Sequence, residues 1–456
     1  MNKVNTKITL PPIDGHLLPF RFPPAKTIQL SNGLRLIIVE RAGLPKVYLR
    51  LGFPFGIKND PEGREGTAEL LANTLKKGTL RRDYQQLVDD VETAGGELDA
   101  MVSEDFCIMY GEFISEYLPF GVEILSEMAL MPALPENELE KERIKLIANL
   151  ENEKSSPAFL AQRRMNRALF SPHPYAGFKT AATIGNISRE NLLQFHQSHI
   201  FPQGAVLVMA GDVSETAAKN LAEKFFADWP GAEKRVESLF AQPLVSQRQI
   251  HLVNRPGSEQ ANILLGNLLF PRNHPDFEKM MVMNKILGGG GSGRLFLNLR
   301  EEKGFTYGAY SAMQTYRDQG AWIANAEVRT EVTIPSLEAF EEEFQKIKNE
   351  PVPEKELMNA KRYLIGVFPL QNETPSSIAA LALKQQLNGL PADYWDRYLE
   401  ALERVDADMV RQMAEEYIRT VEMNIVVVGD AEKLLSPLRE LAPLSLYDPD
   451  DNIISI

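Results

Sequence analysis

Several groups of residues in this 456-residue sequence have types and spacings that invite chemistry. Glu69 and Asn73, with Ala72 between them, stand at i and i+4, so on a helix the Glu and Asn side chains share a face and could touch one ion. A carboxylate plus an amide is a weak set for zinc, which prefers imidazole and thiolate. His196 and His199 are the only close pair of histidines, but no third ligand or general base has an evident spacing to them. They read as packing or surface residues ahead of the apolar strand at 205–209. Gly288, Gly290 and Gly293 formally satisfy the dinucleotide-loop pattern, yet the run before them, 275–287, reads as an amphipathic helix where that loop requires a strand. Arg294-Leu295 also stands where a Walker loop needs Lys and Ser/Thr. Gly288, Gly289, Gly290 and Gly291 therefore read as a helix-to-helix loop whose unshielded backbone suits close approach to a bound peptide. Arg300 ends a charged helical segment and Tyr307, seven residues on, begins an alternating strand. Taken alone they are a surface Arg and a half-buried Tyr. The single cysteine, Cys107, excludes an intrachain disulfide and a structural Cys site for zinc, and between apolar neighbours it reads as packing.

Two or more domains are expected, because the chain exceeds what one hydrophobic core usually serves. With 44% apolar and 24% charged residues it has an ordinary globular composition, and a formal net charge of −13 disfavours a nucleic-acid partner. No run reaches membrane-spanning length and residues 1–25 carry no signal-peptide core, so a cytoplasmic protein is expected, or a periplasmic one if an export signal has been removed. The chain also repeats itself. Gly211-Asp212 and Gly429-Asp430, each closing an apolar run, stand 218 positions apart, as do Pro135-Glu136 and Pro353-Glu354 and the pair Ile200 and Ile418. A constant offset across separated landmarks indicates two copies of one domain. Within the first copy, strand-like runs at 34–40, 47–53, 96–102 and 106–113 precede helical runs at 135–154 and 157–170. Strands followed by helices imply an α+β fold with two homologous sandwich domains, each an antiparallel sheet with helices packed on one face. The expected boundaries are residues 1–230 for the first domain, 231–248 for a linker and 249–456 for the second.

The stretch Gly66-Thr67-Ala68-Glu69-Leu70-Leu71-Ala72-Asn73-Thr74-Leu75-Lys76-Lys77-Gly78-Thr79 closely resembles the zinc-helix segment of the pitrilysin (insulinase) metallopeptidases, in the branch that includes the mitochondrial processing peptidases. That segment reads roughly Gly-x-x-His-x-x-Glu-His-x-x-x-Lys-Gly-Thr, so the two histidine ligands and the general base are replaced here by Glu69, Asn73 and Ala72. The family's third ligand, a Glu, falls near Ala148 or Asn149. Glu151 is two residues off, which turns a helical side chain by about 200° onto another face. Leu287 to Tyr307 is similar to the second-domain signature of the same family, with its Arg and Tyr seven residues apart at Arg300 and Tyr307. His173-Pro174-Tyr175, Gly211-Asp212 and Ser258-Glu259-Gln260-Ala261 match further landmarks, and the resemblance spans about residues 25–440.

The resemblance implies two domains facing each other as a clam-shell around a chamber. It also implies that the Arg holds a substrate carbonyl while the Tyr donates a hydrogen bond to the oxyanion, a contribution worth about 3 kcal/mol. No metal or cofactor is expected in this chain. Zinc is expected on a homologous zinc-bearing peptidase subunit, with this chain as the other half of a heterodimer acting on unfolded peptide. The alternative it carries is a non-catalytic scaffold, like the core subunits of the respiratory bc1 complex.

Overall fold

Thirteen strands form two sheets in the computed structural model, which describes residues 20–231 and 247–455. The first sheet contains β1 (Lys26–Gln29), β2 (Arg35–Glu40), β3 (Lys46–Phe53), β4 (Glu97–Val102), β5 (Cys107–Ile114) and β6 (Val206–Gly211), in the order β1-β2-β6-β3-β5-β4. The second contains β7 (Gln249–Asn254), β8 (Gln260–Leu269), β9 (Thr306–Thr315), β10 (Gly320–Arg329), β11 (Asn424–Gly429), β12 (Leu444–Tyr447) and β13 (Ile453–Ile454), in the order β13-β12-β7-β11-β8-β10-β9. The expected linker, 231–248, falls almost wholly outside the described residues.

The sheets are mixed where antiparallel sheets were expected. β2 runs parallel to β6, and β7 runs parallel to both β11 and β12. Each domain's helical block separates its early strands from the one that returns to the sheet centre. Only a long crossover of that kind can return a strand parallel to its neighbour.

The 218-residue offset is realised element by element. β6 ends at Gly211 and β11 at Gly429; helix Glu136–Glu153 answers Glu354–Gln371, and helix Arg189–His199 answers Ala407–Tyr417. Each domain has its own core between one sheet face and its own helices, with Leu36, Leu49, Leu71 and Leu125 in the first and Ile263, Trp322, Phe340 and Val427 in the second.

The opposite sheet faces are covered reciprocally, which the sequence patterning did not show. Helix Pro157–Phe170 of the first domain lays Leu160, Met165, Leu169 and Phe170 on Val253, Leu264, Val426 and Val428 of the second sheet. Helix Pro375–Leu387 of the second domain lays Ile378, Ala382, Leu383 and Leu387 on Ile37, Val39, Val206 and Val208 of the first. Both helices begin with Pro in the first turn behind a capping hydroxyl, Ser156 or Thr374. Burying a Leu, Ile or Met side chain contributes roughly 1.5–3 kcal/mol, so this exchange binds the domains firmly.

Polar contacts add to it, two groups of them centred on buried aspartates. Lys58 of the first domain bridges Asp105, at 2.8 Å, and Asp318, at 2.6 Å, in the β9–β10 turn of the second. Asp105 also accepts from the Tyr175 hydroxyl and, at 2.7 Å, from the Arg317 amide. Near the C-terminus, Asp451 takes Arg164 and Arg167 from helix Pro157–Phe170, at 3.0 and 2.9 Å.

Candidate functional site

Helix Thr67–Leu75 carries the first-domain positions. The Asp60 carboxylate starts it, accepting from the Gly66 and Ala68 amides at 2.7 Å each. Burial pushes that carboxyl up to about 7, against the pull of the two amides that favour its charged form. The frame after the helix is held by structure. Lys77 pairs with Glu142 on helix Glu136–Glu153 at 3.1 Å, Gly78 sits at φ +123°, and the Thr79 hydroxyl donates to the fully buried Glu127 at 2.9 Å. Those roles are structural and need no metal.

The three metal-register positions are already engaged or shielded. Glu69 forms an ion pair with Lys179, Ala72 is buried, and Asn73 offers only an amide. On helix Glu136–Glu153, Ala148 and Asn149 are exposed, and Glu151 turns outward to pair with Lys154 at 3.1 Å. One carboxylate neutralised by a lysine, plus an amide, does not fit zinc, which requires deprotonated N, S or O ligands in a tetrahedral set. Among the described residues, no three His, Cys, Asp or Glu side chains cluster for a metal ion.

The second-domain positions are arranged differently. Helix Phe277–Leu287 ends in Gly288, and the loop runs to a helical segment starting at Arg294, the helix-to-helix connection expected. Gly288 is required by packing: its carbonyl accepts from the Ser311 amide of β9 at 3.0 Å, and a Cβ there would lie 2.5 Å from that same nitrogen. Lys285 reaches back over the loop to donate to the Gly289 carbonyl at 2.5 Å, its ammonium 3.6 Å from the Tyr363 ring centre. Burial holds Lys285 below the ordinary lysine range. Arg294 fixes the far end through a two-pronged pair with Glu356, at 2.9 and 2.7 Å.

Arg300 lies on a π-helical turn, Leu297–Glu302, and Tyr307 is the second residue of β9. The Arg300 guanidinium stands 4.7 Å from the Phe296 ring, which in turn contacts Tyr310 of β9 at 5.8 Å. Its ion-pair partner is the neighbouring Glu301, at 3.4 Å, and its side chain is 45% exposed. Tyr307 is 88% exposed, where a half-buried side chain was expected, and its hydroxyl makes no hydrogen bond among the described residues. A large aromatic this exposed on its strand buries little surface in this chain. The glycine loop, Arg300 and the start of β9 thus form one neighbourhood. Glu69, Ala72 and Asn73 lie in the other domain, and no hydrogen bond or ion pair among the described residues joins the two groups.

The remaining candidates are structural. His196 is buried, bonded to the Ala129 carbonyl at 2.8 Å and held below the ordinary histidine range by burial. His199 stacks on Phe195 with ring centres 4.1 Å apart. His173 caps the turn at Pro174–Ala176, accepting from the Tyr175 amide at 3.2 Å. Burial pushes the Cys107 thiol up to about 12, so it stays protonated and is no nucleophile at neutral pH. Sequence reasoning missed Lys285, whose only signal was a cation one turn before the glycines. It also missed Arg50, which lies in a strand with nothing to mark it.

Residues 36–177 match the sequence family described as Insulinase (Peptidase family M16), and residues 186–364 match the one described as Peptidase M16 inactive domain. A Bacillus subtilis protein described as uncharacterized zinc protease YmxG is 23% identical over 393 residues, which cover 86% of this chain and 95% of that one. An uncharacterized zinc protease of Streptomyces coelicolor is 22% identical over 429 residues, covering 92% and 91%. Among solved structures, a peptidase M16 inactive domain from Pseudomonas fluorescens superimposes with a TM-score of 0.83 at 24% identity, covering 89% of this chain and 98% of that one. A protease from Helicobacter pylori gives the same TM-score at 20% identity, covering 89% and 99%. These structural likenesses are to two-domain α+β proteins of the fold described above.

Proposed function

Because this chain belongs to peptidase family M16, the insulinase family, we propose that it is the metal-free subunit of a two-chain zinc peptidase. In this reading it supplies Arg300, Tyr307 and the loop Gly288–Gly291 to an active site whose zinc is carried by a homologous partner. The observation that carries the reading is an asymmetry between the two domains. The metal-register positions are occupied by internal contacts, Glu69 with Lys179 and Ala72 in the core, whereas Tyr307 projects 88% exposed with a hydroxyl that makes no hydrogen bond among the described residues.

The division of labour follows from what each side can supply. A zinc ion held by the partner would supply the activation of the attacking water. On this chain Tyr307 donates a hydrogen bond to the oxygen on which charge develops, while Arg300 holds a carbonyl of the peptide in the ground state. The glycine loop, whose backbone is fixed by Lys285 and Ser311, presents main-chain groups to the peptide.

Elemental analysis and a peptide-cleavage assay on the isolated chain test the metal-free half of this reading. The expected result is far less than one zinc per chain and no hydrolysis of unfolded peptide. About one zinc per chain, lost in Glu69→Ala, would overturn it.

A further inference from the structure

A small cavity of about 110 Å³ lies where the first sheet meets the N-terminal end of the second domain's helix Pro375–Leu387. Its walls include Tyr48 and Arg50 of β3, Glu97 of the edge strand β4, Tyr110 and Glu112 of β5, and Ser376 of the helix. The pairing explains the grouping. In register across the sheet, Arg50 stands beside Tyr110, and Glu112 stands between Tyr48 and Glu97, so these side chains emerge on one face. That face is the one turned toward the other domain.

Arg50 is the unusual member. Its guanidinium lies 5.5 Å from the Tyr110 ring centre and donates to the Ser376 hydroxyl at 3.3 Å. Its Nε is buried and has no hydrogen-bond partner, and no carboxylate lies within ion-pair distance of it among the described residues. A half-buried cation without a counter-charge is costly, and burial holds this one below the ordinary arginine range. Glu112 does not neutralise it, because Glu112 is held by Lys46 at 3.2 Å. Two phenols stand beside the guanidinium. Tyr110 is kept above the ordinary phenol range by burial and by Asp99 and Glu97, so its hydroxyl remains a donor at neutral pH.

We propose that this cavity is a specificity subsite that takes the carboxylate of an acidic side chain, Asp or Glu, on the bound peptide, with Arg50 as its counter-ion and the tyrosine hydroxyls as further donors. The chemistry is a charge-assisted hydrogen bond to a planar guanidinium, which accepts a carboxylate in preference to the isosteric amide. The volume admits a single side-chain terminus. The inference rests on the reading that this chain binds the peptide substrate, and it adds which peptides are favoured.

Fluorescence anisotropy with labelled unfolded peptides, on the isolated full chain, tests it. Two peptides differing only by Glu or Gln at one position, scanned along the sequence, are compared at low salt. At one register the Glu peptide is expected to bind at least about tenfold more tightly, the scale of one hydrogen bond to a charged group. The ratio should collapse toward one in Arg50→Gln and be partly kept in Arg50→Lys. A ratio near one at every register in the wild-type chain overturns the subsite while leaving peptide binding intact, and it needs no variant to fold. A Glu preference that persists in Arg50→Gln also overturns it. Absence of binding by either peptide sinks the underlying reading and the subsite with it.

Discussion

Replacing Tyr307 with Phe isolates one hydroxyl. In this chain that hydroxyl makes no hydrogen bond among the described residues, and the side chain is 88% exposed, so its loss removes no contact the fold uses. The stability change should therefore stay within about 0.5 kcal/mol, the range of ordinary surface substitutions. Its effect on turnover should be far larger. A positioned donor to a developing oxyanion is worth about 2.7–4 kcal/mol, or about 10²–10³ in kcat, once water is excluded from the site. Exposure in the single chain means that this value is reached only when a partner closes over the residue. Because the bond is made mainly in the transition state, kcat and kcat/KM should fall together while KM stays near its original value. The assay is steady-state cleavage of an internally quenched peptide by the reconstituted complex, alongside melting curves of both chains. Tyr175→Phe gives a contrast, since its buried hydroxyl serves Asp105 and its loss should cost stability, by about 1–3 kcal/mol. Unchanged kcat in Tyr307→Phe, with assembly intact, would reduce Tyr307 to a surface residue and leave a scaffold role as the better reading.

Two further outcomes concern the joint between the domains. Asp451, whose side chain is 1% exposed, sits at φ +73° and receives Arg164 and Arg167; Asn tolerates that backbone, so Asp451→Asn removes the charge and one of the two acceptor oxygens without straining the main chain. Leaving Arg164 buried and unpaired should cost about 3–5 kcal/mol in urea unfolding, and a loss below about 1 kcal/mol would refute the clamp. His251 bonds Asn424 at 3.0 Å and is pushed down to about 4, chiefly by burial, with Arg164 adding to the effect. The unfolded chain, with a histidine near 6.5, takes up that proton first, so the stability tied to His251 is full above about 6.5 and is lost as pH falls toward 4, by about 3 kcal/mol. Asp60, held up near 7, acts in the opposite sense between about 4 and 7, so the measurement is wild type minus His251→Gln across that range. An identical pH profile in the two proteins would contradict the assignment.

The duplication was legible because equal offsets survive sequence drift, and Gly211 and Gly429 do end equivalent strands. That Glu69, Ala72 and Asn73 offer a poor set for zinc was legible from residue types alone, and the outward turn of Glu151 follows from helical geometry. The reciprocal helices were not legible. Leu160, Met165 and Leu169 show the same apolar spacing whether they pack on their own sheet or on the other domain's, and periodicity does not name the partner surface. Parallel pairing of β6 and β11 was hidden for a similar reason, since a fully buried strand reads alike in either direction. Strict alternation along β9 would put Tyr307 on the buried side with Ala309 and Ser311, and the register shift between the pairs Ala309–Ala326 and Thr306–Val328, which nothing in the sequence marks, turns it to solvent instead. The solitary charge of Arg50 and the bridge from Lys58 to Asp318 arise from residues distant in sequence, which spacing does not reveal.

Titration of this chain into a homologous M16 chain that carries an intact His-x-x-Glu-His helix tests the central claim most directly, with peptide hydrolysis as the readout. The account expects little activity from either chain alone, a rise on mixing that saturates at one to one, and no rise when the added chain is Tyr307→Phe with Arg300→Ala. Full activity of the zinc-bearing chain by itself, unchanged when this chain is added and while the two are shown to bind, would contradict it.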